Sequence, residues 1–330
     1  MPVERVEFDC DQLTLVGDLR APEADRRLPG LVFTGPFTGT RDQVTGSYAA
    51  RLADEGFVTL SFDHRSFGES QGTPRRAEDP QGKLRDLRAA VSVLRAHPRV
   101  DPDAIAAVGI CLGGGYALKF AAFDPRVKAF AGIAGAYNTP QAMRDGMGVA
   151  GYQSALAAFT GVLERQDHGA EVEYIPAVSR EGEAAMPGDE PWAYYGTSRG
   201  ASATWQNSVT RASVRELITV DNMIGADFLG PKPGLIVHGV RDAYCSPDGA
   251  REAYERMGDS AGLAPGPRQI VWLDCELHID LYDNEQFVGQ AVQATAEFLR
   301  EHLARGGASS PGPSSPGPSS PGPSSPAGGE

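Results

Sequence analysis

No stretch of this sequence holds 18 consecutive apolar residues, and its start, Met1-Pro-Val-Glu-Arg-Val-Glu-Phe8, has no apolar segment behind a basic end. Neither a membrane-spanning helix nor a secretory signal is expected, and a soluble cytoplasmic protein is. Basic runs are missing as well. With 30 Lys and Arg against 43 Asp and Glu the formal charge is −13, a poor match to nucleic acid or an anionic membrane surface, so the expected partners are small molecules. Cysteine is scarce: Cys10, Cys111, Cys245 and Cys275 stand far apart in sequence, with no CxxC pair and no Cys/His cluster. That pattern fits neither a dense disulfide framework nor a zinc site, and no metal or cofactor is expected.

What is present is an α/β rhythm. Val3 to Phe8 and Leu13 to Leu19 read as two strands around an Asp11-Gln12 turn. Apolar runs then alternate with amphipathic segments: strands at Gly30 to Thr34, Phe57 to Phe62, Ala104 to Gly109, Lys128 to Ile133, Gly234 to His238 and Gln269 to Leu273. Helices are expected at Tyr48 to Glu55, Lys83 to Ala96, Gly113 to Phe123, Pro247 to Met257 and Glu285 to Leu303, with Leu84, Leu87, Val91 and Leu94 sharing one face of the second. Such alternation predicts an α/β fold with a mainly parallel sheet covered on both faces. From about Tyr137 to Asp227 the rhythm stops and large aromatics gather, among them Trp192, Tyr194, Tyr195 and Trp205. A structureless stretch of that length is improbable, so 137–227 is expected to be an inserted, largely helical cap between two core parts, 1–136 and 228–304. Its aromatics form a second apolar core or, for Trp192, Tyr195 and Trp205, a substrate pocket. Residues 305–330, with Ser-Ser-Pro-Gly-Pro repeating from Ser309 to Pro323, are expected to form an extended tail.

The chemistry concentrates at Gly109-Ile-Cys111-Leu-Gly113, which follows an apolar strand and opens a helix. That is the context of the G-x-S-x-G nucleophile elbow, with cysteine in place of serine. Small residues on either side are needed because the turn is sharp. A helix N-terminus and a nearby imidazole would lower the thiol pKa, and a thiolate suits activated acyl groups such as esters, thioesters and lactones. A buried structural cysteine at a glycine-rich helix start is the competing account. A dinucleotide loop is disfavoured because Gly113-Gly114-Gly115 lacks the G-x-G-x-x-G spacing.

An elbow nucleophile takes its acid and histidine later in the chain. That order removes His64 and His97. His168 falls in the cap, His238 ends a strand and His302 lies at the solvated end of the last helix, which leaves His278, in the loop after the last strand. Asp242, on the loop after Gly234 to His238, is the expected acid that orients His278, with Asp248 and Asp274 as weaker candidates. The oxyanion hole is expected to combine the backbone N–H of Leu112 with one from the loop after Thr34. Pro36 has no N–H, so Phe37 is the better donor there, unless its side chain is only a pocket wall.

These residues resemble dienelactone-hydrolase-like proteins of the α/β-hydrolase superfamily, especially the bacterial YcjY-like branch and the fungal polyketide transferases. The resemblance extends nearly to Leu303 and rests on Phe37-Thr-Gly, Phe62-Asp-His-Arg-Ser-Phe-Gly-Glu-Ser70, Gly109-Ile-Cys-Leu-Gly-Gly-Gly-Tyr116, Asp124-Pro-Arg-Val-Lys-Ala129, Tyr194-Tyr-Gly-Thr-Ser-Arg-Gly200, Trp205-Gln-Asn207 and His278-Ile-Asp-Leu-Tyr-Asp283. It implies an α/β-hydrolase fold, a Cys-His-Asp triad of Cys111, His278 and Asp242, and a helical insertion before the acid-bearing strand. Dienelactone hydrolases proper carry a glutamate near the oxyanion strand, and Thr34-Gly35-Pro36 offers none. The expected activity is therefore hydrolysis of an ester, thioester or lactone through an acyl-cysteine, on a small-molecule acyl substrate that is free or carrier-bound. The alternatives are an acyltransferase or chain-releasing cyclase of polyketide-type secondary metabolism, and a non-catalytic ligand-binding protein of the same fold.

Overall fold

Two residues in the left-handed region, Asp11 at φ 51 and Gln12 at φ 66, close a tight hairpin between β1 (Glu4–Cys10) and β2 (Leu13–Arg20), with Cys10 paired to Leu13. The structure, a computed structural model, describes residues 2–304; the expected Ser/Pro/Gly tail at 305–330 lies outside them. After the hairpin come β3 (Leu28–Thr34), α1 (Val44–Asp54), β4 (Val58–Phe62), α2 (Pro80–Ala96), β5 (Val100–Ile110), α3 (Leu112–Phe123) and β6 (Val127–Ile133). All five residues of β4 and the last seven of β5 are buried, as strands covered on both faces require. The second helix starts at Asp79-Pro80, earlier than its apolar stripe indicates, because the Asp79 carboxylate accepts from Gly82 N at 2.7 Å and Pro80 is preset for a first helical position.

Between β6 and β11 the chain leaves the sheet. It forms α4 (Pro140–Asp167), the short strands β7 (Tyr174–Ile175), β8 (Val178–Ser179) and β9 (Met186–Pro187), α5 (Asp189–Tyr195), β10 (Val209–Thr210), α6 (Ser213–Thr219) and α7 (Ile224–Phe228). Strand β7 pairs with β10 and β8 with β9, away from the main sheet. The last element of this excursion returns to the core: Gly225 of α7 lies against the backbone of Lys119 in α3. The chain then completes the sheet with β11 (Gly234–Gly239), α8 (Pro247–Asp259) and β12 (Arg268–Leu273), and ends with α9 (Asp280–Asp283) and α10 (Glu285–Ala304). Among the described residues no helix is long and apolar enough to cross a membrane.

The main sheet has eight strands in the order β1-β2-β4-β3-β5-β6-β11-β12, antiparallel at β1 and β2 and parallel from β4 onward. Helices α1 and α10 cover one face; α2, α3 and α8 cover the other. In-register pairs such as Thr34 with Gly109, Ile110 with Ile133 and Gly239 with Leu273 bring the carboxyl ends of β3, β5, β6, β11 and β12 to one edge. The loops that carry Phe37, Cys111, Asp242 and His278 all leave from that edge, where open α/β sheets place their ligands.

Candidate active site

Cys111 is the single residue between β5 and α3, and it holds φ 55, ψ −125, a strained conformation for a side chain with a Cβ. The turn is closed by three backbone bonds: Cys111 N–H donates to Ile133 O at 3.1 Å, and Cys111 O accepts from Gly114 N and Ala136 N at 2.8 Å each. Nothing larger than glycine fits beside it. A Cβ on Gly109 would stand 2.1 Å from Gly113 O, and one on Gly113 would stand 2.2 Å from Thr34 O. Leu112 takes the first position of α3, where a backbone N–H has no partner inside the helix.

His278 lies beside the sulfur, 2% exposed, in the loop between β12 and α9. Its Nδ1 is 2.7 Å from Asp242 Oδ2. The other carboxylate oxygen, Oδ1, accepts from Cys245 N at 2.7 Å and Tyr244 N at 2.9 Å, which fixes the acid loop. Nε2 of His278 pairs with the Tyr282 hydroxyl at 3.1 Å. Burial alone would lift the Asp242 carboxyl, but the His278 hydrogen bond and charge hold it below its ordinary range. His278 is raised to about 10: burial opposes the proton, and the Cys111 charge and the Asp242 hydrogen bond outweigh it. The Cys111 thiol is held well below its ordinary value, first by a hydrogen bond from Cys245 and, against burial, by the His278 charge. Both directions favour a thiolate beside an imidazolium.

Cys245, like Tyr282, is a residue that sequence reasoning missed. Its Sγ lies 4.0 Å from Cys111 Sγ, and its own pKa is raised because its proton is held on the Cys111 sulfur and because it is buried. Cys111, Cys245 and His278, scattered through the sequence, each place a ligand atom within 4.8 Å of the others. The spacing rules for metal sites look for ligands close in sequence, so they could not see this trio. The available signal was that Cys245 sits three residues after Asp242, on a loop already expected at the site.

Met186, Glu190, Pro191, Tyr195, Tyr244, Ile279 and Tyr282 close around Cys111 and His278 and leave about 10 Å³, the space of at most one water. Glu190 ties the excursion to the histidine loop, accepting from Ile279 N at 3.2 Å. A larger hollow, of about 590 Å³ beside Phe8, Arg88 and Arg126, is an open surface groove, and its thiol, Cys10, is pushed up by burial to about 11. Of the three aromatics expected at the pocket, Tyr195 lines it, with its buried hydroxyl unpaired. Trp205 stands behind, stacked on Tyr195 with ring centres 5.4 Å apart and its Nε1 donating to Thr38 Oγ1 at 3.3 Å, whereas Trp192 packs against Gly196.

Phe37 is buried on the turn after β3, closed by Gly39 N donating to Pro36 O at 3.1 Å. The Asp63-to-Ser70 motif clamps this loop. Asp63 accepts from Arg41 N at 2.8 Å, and the Arg41 guanidinium pairs with Asp63, Glu69 and Asp18. His64, removed from the candidates by chain order, bonds Thr34 Oγ1 at 2.9 Å and Asp86 at 3.2 Å beneath the same loop.

Residues 42–263 match the family described as serine aminopeptidase, S33. The uncharacterized protein YcjY of Escherichia coli K12 is 31% identical over 284 residues, 84% of this chain and 90% of that protein. Acyltransferase drtE of Aspergillus calidoustus is 28% identical, over 89% of this chain and 94% of its own length. Among solved structures, the hypothetical protein PA2218 of Pseudomonas aeruginosa superposes with a TM-score of 0.78 at 28% identity, covering 91% of this chain and 94% of that one. The fold is that of the α/β hydrolases, and an enzyme of hydrolase fold carries cysteine, not serine, at its elbow. The chain belongs to the serine aminopeptidase S33 family of α/β hydrolases.

Proposed function

We propose that the protein is a Cys-His-Asp hydrolase, in the dienelactone-hydrolase-like branch, that cleaves an ester, thioester or lactone through an acyl-cysteine. The observation that carries this reading is Cys111 at a strained elbow with a His278 ring nitrogen within 4.8 Å of its sulfur and Asp242 2.7 Å behind the imidazole. In the first half-reaction the Cys111 sulfur attacks the acyl carbon, and the N–H groups of Leu112 and Phe37 hold the oxyanion. The bond to the leaving oxygen or sulfur breaks as His278 Nε2–H gives that atom its proton, so the imidazole becomes neutral. In the second, His278 takes a proton from water as the oxygen attacks the thioester, and collapse returns the thiolate and the imidazolium.

A second reading has an alcohol or carbon nucleophile in place of water, giving an acyltransferase or chain-releasing cyclase. Full-length similarity to a protein named acyltransferase favours it. Incubation with an activated acyl ester is expected to add an acyl mass to Cys111, and Cys111→Ala to abolish both adduct and turnover; unchanged turnover in that variant would sink both readings. With the native donor and saturating acceptor, free acid as the sole product supports hydrolysis.

A further inference from the structure

We propose that Cys111, Cys245 and His278 form a zinc-capture site that reversibly locks the nucleophile. Their ligand atoms all lie within 4.8 Å of one another, and the two sulfurs are 4.0 Å apart. In a tetrahedral zinc site, bond lengths of about 2.3 Å to sulfur and about 2.0 Å to nitrogen place ligand atoms about 3.5 to 3.8 Å from each other. The trio is thus within a small side-chain adjustment of that geometry. The ring is already oriented: Asp242 holds Nδ1 at 2.7 Å, leaving Nε2 as the ligand, an arrangement in which a carboxylate fixes a metal-binding histidine. Two thiolates and an imidazole are soft to borderline donors, which select zinc over magnesium or calcium.

Charge supports the same choice. All three residues are buried, and two thiolates around a dication give a neutral cluster, whereas a lone buried cation would carry a large desolvation cost. The protons balance. Zinc entry expels the Cys245 thiol proton and the one shared by Cys111 and His278, so two leave for each ion bound. The hollow of roughly 10 Å³ lies on the Cys111 and His278 side of the trio, is not lined by Cys245, and has room for the one water that would take the fourth position.

Metal binding rests on this geometry alone; only its inhibitory effect rests on the acyl-cysteine reading. The test titrates the reduced, metal-free full-length protein with Co²⁺ and then Zn²⁺ without oxygen. One equivalent is expected to bind with a thiolate-to-cobalt charge-transfer band, to be displaced by zinc, and to protect Cys111 from iodoacetamide until a chelator is added. Cys245→Ser keeps a hydroxyl against the Cys111 sulfur and is expected to lose the band and at least about 100-fold in affinity, more than loss of an outer-shell partner costs. Cys10→Ser is expected to change nothing. No band in the wild type, or an undiminished one in Cys245→Ser, would overturn the site. An acyl-enzyme that forms in a protein without the band removes the metal site only, and a band without any acyl-enzyme removes the acyl reading only.

Discussion

At the scale of single residues, the acid–base behaviour of the site follows from three neighbours of one sulfur. His278 is raised to about 10 and Cys111 is depressed, so the reactive ion pair should persist across neutral pH. Its loss on the acid side comes from protonating the thiolate, and on the alkaline side from deprotonating His278. Asp242→Asn removes the charge that favours imidazolium. The alkaline limb of the acylation rate is then expected to move down by about one to three pH units, as read from a pH–rate profile of acyl-enzyme formation. A limb that stays in place would mean Asp242 does not tune His278. Cys111, Asp242 and His278 were legible in sequence because the elbow motif and chain order name them. Tyr282 and Cys245 were not: neither belongs to the elbow motif, and both enter because they follow His278 and Asp242 by only a few residues.

Elements were legible where burial is periodic or complete. The strands leading to the site begin and end within a few residues of their apolar runs, since every position of β4 is buried. The 28-residue α4 left no such trace, because Val162 is its only buried side chain and no apolar stripe is needed. The elbow is the opposite case, with the sequence constrained at every step. Gly113→Ala would drive a Cβ to 2.2 Å from the Thr34 carbonyl, which a strand end cannot yield, and is expected to cost about 1–3 kcal/mol. The contrast is Gly289→Ala in α10, where a Cβ meets nothing within 4 Å and helix propensity should stabilise by about 0.5–1 kcal/mol. Urea unfolding midpoints measure both, and equal shifts of the same sign would refute the steric account of the elbow.

At the scale of the whole molecule, the excursion between β6 and β11 closes the site that the sheet edge opens. Its aromatic content was visible in sequence, but its position over Cys111 depends on contacts that no local pattern encodes: Met186, Pro191 and Tyr195 against the pocket, and Glu190 bonded to Ile279 N. With room for one water beside the sulfur, access of an acyl group is expected to require α5 to lift, with Gly188, at φ 112 just before that helix, as the backbone joint. Glu190→Ala removes the tie, worth about 0.5–1.5 kcal/mol, and is expected to speed alkylation of Cys111 by about 2- to 10-fold at fixed pH. Glu190→Gln keeps an acceptor oxygen for Ile279 N and should leave the rate near that of the wild type. Acceleration by both variants would instead point to the lost negative charge, because a closing contact made by a neutral acceptor would still hold α5 over the sulfur.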